Sequence, residues 1–103
     1  MDIFDSENAK MLVSALLSLE NERQCRDFLE DLMTSKEIVS LGQRLAVAKL
    51  LCLKSKYSQV AESTGASSAT IGRVNRCIQY GSGGYRAVLE NLGAIGGDGG
   101  YGA

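Results

Sequence analysis

The sequence predicts an all-α fold, and three observations carry that expectation. Apolar residues recur at helical spacing, as with Cys25, Phe28, Leu29 and Leu32 at i, i+3, i+4 and i+7. The 103 residues include no proline, which suits helices that run without interruption. Residues 57–78 read as two short helices folded around a glycine turn, a helix-turn-helix. A chain of this length is expected to form one domain over residues 1–92, since domains commonly hold roughly 100–150 residues.

Asp5 or Ser6 is the expected cap of a first helix running to about Glu20. Its apolar residues, Met11, Leu12, Val13, Ala15, Leu16, Leu17 and Leu19, cover most of the circumference at 100° per residue. A short chain has too few other elements to cover such a helix. The economical solution is a second copy, so an obligate homodimer is expected, with the first helix packed across the partner. Asn21, with Gln24 three residues on, starts a second helix whose outer face is acidic. Thr34-Ser-Lys-Glu37 is a capping box for the third helix, about Ser35 to Leu53. Its expected core side is Ile38, Leu41, Leu45, Ala48 and Cys52, widened by Val47, Leu50 and Leu51. Arg44 lies near that stripe and cannot be buried unpaired; it is either a solvated rim residue or a ligand contact.

In the helix-turn-helix, Val60 and Ala61 give the first helix its apolar side. Gly65 suits the left-handed residue that ends a helix, and Ser67 or Ser68 caps the next. Ile71, Val74 and Ile78 form the inward stripe. The outward residues are Ser68, Ala69, Gly72, Arg73 and Arg76, small or basic with no acid among them. Such a face suits a DNA major groove: small residues permit close approach, and arginines meet phosphates and guanine edges. Three glycines in Gly81-Ser-Gly-Gly84 end that helix. Tyr85 to Leu92 is expected to form a last helix, packed through Val88, Leu89 and Leu92. Residues 93–103 hold six glycines in eleven positions, and a mobile tail is expected there.

The net charge of −1 conceals a division. Residues 38–89 hold seven bases and one acid, Glu62, whereas the remainder holds four bases and eleven acids. One half is therefore suited to a polyanion, the other to water or a partner chain. The three cysteines, Cys25, Cys52 and Cys77, form no Cys-x-x-Cys pair and read as reduced core residues of a cytoplasmic protein. The first residues carry acids and not a basic n-region, so no leader is expected, and no apolar run approaches the roughly 18 residues of a membrane span. Histidine is absent, which removes the commonest general base and metal ligand. No phosphate-binding glycine loop, zinc spacing or calcium loop appears. No catalytic residue, metal or cofactor is expected, and the chain does not read as an enzyme.

Asp31-Leu-Met-Thr-Ser-Lys-Glu37, Leu41-Gly-Gln-Arg44 and Gly65-Ala-Ser-Ser-Ala-Thr-Ile-Gly-Arg73 together resemble the Trp repressor-like superfamily, and most closely its YerC/YecD-type branch. The resemblance covers roughly residues 5–92. It implies an all-helical, intertwined dimer whose two recognition helices enter successive major grooves. In the tryptophan-sensing members a threonine, an arginine on the third helix and an arginine on the recognition helix frame the ligand; Thr34, Arg44 and Arg73 match them. Two departures follow. Val74 stands where those members have glycine, and Cys77 where they have a serine that meets the amino group. Overpacking of this kind typically costs about 1–3 kcal/mol, so the resemblance does not extend to tryptophan sensing.

The sequence thus describes a cytoplasmic, dimeric, DNA-binding transcriptional regulator, a repressor by resemblance. Ser67, Ser68, Ala69, Gly72 and Arg73 are the expected groove surface; Arg76, Lys54 and Lys56 are the expected phosphate contacts. Two alternatives stay open. One is a regulator gated by a small amino acid or other metabolite near Thr34, Arg44, Arg73, Val74 and Cys77. The other is a dimeric protein-interaction module whose basic half docks an acidic protein.

Overall fold

The computed structural model describes residues 2–96. The described residues form six α-helices and no strand, after a short 3-10 turn at Ile3–Asp5. The helices are α1 (Glu7–Leu17), α2 (Glu22–Leu32), α3 (Ser35–Cys52), α4 (Tyr57–Thr64), α5 (Ser68–Tyr80) and α6 (Gly84–Asn91). None is long and apolar enough to cross a membrane. The chain divides into two compact units, with the boundary between Ile38 and Val39 inside α3.

In the first unit the caps are those the sequence announces. The Ser6 hydroxyl accepts from the Ala9 N–H at 3.1 Å, and Asn21 Oδ1 accepts from the Gln24 N–H at 2.9 Å. Gln24 Oε1 in turn accepts from the Glu20 N–H at 2.9 Å. α1 stops at Leu17, short of Glu20, whose N–H goes to the Gln24 side chain and not to a carbonyl of α1. Thr34 and Glu37 close their box reciprocally: the Thr34 hydroxyl accepts from the Glu37 N–H at 3.1 Å, and Glu37 Oε1 from the Thr34 N–H at 2.9 Å. Neither α1 nor α2 contains a buried residue. Met11 is 67% exposed and Leu17 81% exposed, while α2 carries the i,i+4 pairs Arg23–Asp27 and Arg26–Glu22 on its surface.

The second unit has a core. Val47, Ala48 and Cys52 of α3 meet Val60 of α4, Ala66 of the turn, Ile71 and Val74 of α5, Leu89 of α6, and Ile95. The side of α3 that faces this core is narrower and lies further along the helix than expected: Ile38 and Leu41 are exposed and Leu45 is half-buried, so Val47 takes the central place. An apolar stripe longer than the elements packed on it leaves its free end bare. On α6, Leu89 alone of the three expected packing residues is buried, and Val88 and Leu92 are exposed. The cysteines divide likewise. Cys52 is buried and Cys25 half-buried, but Cys77 is exposed and is not a core residue.

The start of the expected tail is also corrected. Gly93 takes a left-handed φ of 71° and ends α6, with its N–H on Glu90 O and that of Ala94 on Leu89 O, both at 2.9 Å. The chain then turns back and buries Ile95 to 8% exposure. A glycine-rich composition concealed one apolar anchor, Ile95, which packs in the core of the second unit. Residues 97–103, the rest of that segment, lie outside the described residues.

Candidate nucleic-acid interface

The helix-turn-helix is built within the second unit. The Lys56 N–H at the start of α4 donates to Gln59 Oε1 at 3.3 Å. Val60 locks α4 into the core. Gly65 ends it at φ 71°, its N–H donating to Ala61 O at 2.9 Å. A β-carbon at Gly65 would meet no neighbour within 4 Å, so the glycine is required by its backbone angle and not by space. The Thr64 hydroxyl donates to Val60 O at 2.7 Å and accepts from the Ala66 N–H at 3.2 Å. The buried Ala66 then pins the turn to the core. Ser67, not Ser68, is the cap of α5: its oxygen accepts from the Thr70 N–H at 3.1 Å and its hydroxyl donates to Thr70 Oγ1 at 3.1 Å. That hydroxyl is therefore already engaged, whereas Ser68 is free to meet a ligand.

Ile71 and Val74 fix the inner side of α5, each 1% exposed, with Ile78 half-buried behind them. Ser68, Ala69, Gly72, Arg73 and Arg76 all lie on the outer side and are exposed. The ridge carries two positive charges and no negative one, because α5 contains no acid. Lys54 and Lys56, ahead of α4, are exposed as well. Lys54 has a left-handed φ of 67°, uncommon for a residue with a β-carbon. Its N–H bonds Leu51 O and that of Ser55 bonds Leu50 O, both at 3.0 Å, a C-terminal cap of the kind glycine usually makes.

The candidate effector residues are not gathered into one cavity of the second unit. Val74 is packed in the core, Arg73 faces outward, and Arg44 is half-buried on α3. Thr34 belongs to the first unit, where its hydroxyl serves the cap of α3. Cys77 lines an open, largely apolar groove of about 410 Å³ with Leu45, Ser82, Gly84, Tyr85 and Val88. Among the described residues no cluster of histidine, cysteine, aspartate or glutamate could hold a metal ion.

One residue that the motif reading left without a role reaches this site. Gln43 Nε2, on α3, donates to the Thr64 carbonyl at 3.0 Å, across 21 positions of sequence. The available signal was its spacing: Gln43 is one helical turn ahead of the buried Val47, so a polar side chain falls on the inner face.

The family model described as Trp repressor protein matches residues 7–93. The chain belongs to the Trp repressor family. The matched span holds all six helices and ends on the glycine that caps α6. YerC, an uncharacterized protein of Bacillus subtilis (strain 168), is 39% identical over 92 residues, which are 89% of this chain and 88% of YerC. A TrpR-like protein from Eubacterium eligens ATCC 27750 superposes with a TM-score of 0.83 at 47% identity, over 87% of this chain and 93% of that one. A Trp repressor candidate from Staphylococcus aureus gives 0.84 at 36% identity, over 91% and 97%. At these identities and coverages the likeness to other Trp repressor-type proteins extends along nearly the whole of each chain.

Proposed function

We propose that this member of the Trp repressor family is a sequence-specific DNA-binding transcriptional regulator, a cytoplasmic repressor, that acts as a homodimer and does not respond to tryptophan. The observation that carries the reading is the outer face of α5: five exposed positions, small or cationic, held by two core residues that have almost no free surface. Ser68, Ala69, Gly72 and Arg73 make the groove surface, and Arg76, Lys54 and Lys56 take phosphates. The apolar surface that α1 leaves uncovered supports the dimer: Met11 is 67% and Leu17 81% exposed, and none of its side chains is fully buried. Val74 argues against tryptophan: a side chain 1% exposed leaves no room beside it for a flat ring.

Selection from a pool of random duplexes tests the proposal. The expected product is a two-fold symmetric sequence with half-sites about 34 Å apart. Retention independent of sequence, lost with salt for every duplex alike, would leave only a basic surface and refute it. Thermal melting against a panel of amino acids separates an effector-gated regulator from a constitutive one: the constitutive reading expects stabilisation by none of them, tryptophan included, and stabilisation by any member would favour the gated one.

A further inference from the structure

We infer that Gln43 is a positioning residue for the DNA-reading helix, a role that rests on the proposed DNA-binding function. The turn between α4 and α5 holds its shape through local bonds: Thr64 Oγ1 with Val60 O and the Ala66 N–H, the Gly65 N–H with Ala61 O, and Ser67 with Thr70. Each of these joins residues at most four apart, so together they fix the bend but not its direction relative to α3. The packing of Val60, Ala66, Ile71 and Val74 against Val47 and Ala48 sets that direction coarsely, and the Gln43–Thr64 bond adds a directional hydrogen bond from α3 to the turn itself. Its donor lies one turn from Val47, which has no exposed surface, so the base of the strut is immobile. Its acceptor is the last residue of α4, next to the left-handed glycine where the chain changes course.

The bond is a weak stabiliser and a strong constraint. Thr64 is half-buried, and ordering a glutamine side chain offsets much of what one hydrogen bond returns. Geometry is where it matters. α5 begins three residues after Gly65, and Arg76 lies eight residues into it, about 12 Å along the axis at 1.5 Å per residue. Tilting α5 by ~10° at its first turn would move Arg76 by about 2 Å, enough to break a hydrogen bond whose range is about 2.7–3.2 Å. Losing the strut therefore costs sequence discrimination, while attraction to phosphates, which tolerates such shifts, is kept.

Two variants and two readouts test this. Gln43→Leu removes the donor at similar bulk, and Gln43→Glu turns an acceptor-only carboxylate toward the Thr64 carbonyl. Amide hydrogen exchange is followed at Gly65 and Ala66, with Leu89 as an internal reference, and affinities are compared for the selected duplex and a random one. Expected is exchange at the turn faster by roughly two- to fivefold, the lower part of the range for one hydrogen bond, with Leu89 unchanged and the Glu variant affected more than the Leu variant. Selected-duplex affinity should fall about tenfold and random-duplex affinity by less than about twofold. Unchanged exchange at the turn, acceleration at Leu89 to the same degree, or equal losses on both duplexes would overturn the assignment. Should the unmodified protein prefer no sequence, the regulator reading fails, and the exchange comparison still decides whether Gln43 holds the turn.

Discussion

Gly72→Ala should stabilise the fold and damage DNA binding, an opposition that few single substitutions offer. Gly72 lies in the interior of α5, where glycine is about 0.8–1.0 kcal/mol less favourable than alanine. Nothing in the described structure explains its presence: it has no left-handed φ, and an added β-carbon would meet no atom within 4 Å. Alanine should therefore recover most of that free energy, raising the melting temperature by about 4–8 °C for a domain near 100 residues. In the DNA complex the same methyl group would stand on the ridge between Ala69 and Arg76, where the helix approaches the bases. Inserting a methyl into a close-packed contact costs about 1–3 kcal/mol, so affinity for the selected duplex should drop at least about fivefold. Melting followed by circular dichroism and a fluorescence titration give the two numbers. A stabilised variant that binds as well as the parent would show that Gly72 does not face the groove. A variant that melts lower would show that its surroundings in solution are not open.

The other expectations concern the caps, the charges and the bare helix. Ser67→Ala should lower stability by about 0.5–2 kcal/mol, seen as a lower denaturant midpoint, because the Thr70 N–H loses its acceptor; an unchanged midpoint would contradict the cap. Arg76→Ala should weaken binding to all duplexes alike and make the slope of log K against log[salt] shallower by about 1; an unaltered slope removes it from the phosphate contacts. Lys54→Gly should stabilise the protein by about 1 kcal/mol by relieving the left-handed backbone, and should weaken DNA binding through the lost charge. A variant whose denaturant midpoint does not rise would show that the backbone there is unstrained. Met11→Glu would be neutral within about 0.5 kcal/mol if that side chain met only water. The dimer reading expects instead a marked loss of stability and a smaller sedimenting mass, and an unaffected mass would refute a dimer contact at Met11.

What the sequence made legible was whatever depends on neighbours a few residues apart. The Thr34–Glu37 box, Asn21, Gly65 and the Ile71–Val74 stripe all follow from rules of one or two helical turns, and each is found where those rules put it. The distribution of burial was less accessible. Leu89 and Val88 are equally apolar and adjacent, and only the packing of α6 decides that one is enclosed and the other bare. Helical periodicity marks an apolar stripe but not how far along it other elements pack, which is why Ile38 and Leu41 read as part of the core side of α3. Lys54 was hidden because its side chain gives no hint of a left-handed backbone, and Ile95 because glycines surround it. Within the candidate site, the exposed ridge was readable from charge and spacing. The strut from Gln43 to Thr64 was not, since it joins positions 21 apart whose pairing only the tertiary fold creates.

The claim on which the account depends is that two copies of the α5 ridge enter the major groove together. Methylation protection at guanine N7 on the selected duplex tests it most directly, because that atom is exposed in the major groove alone. Two protected patches on one side of the duplex, about one helical turn apart, are predicted. A single patch, or a bound complex that leaves every guanine open to methylation, would contradict it.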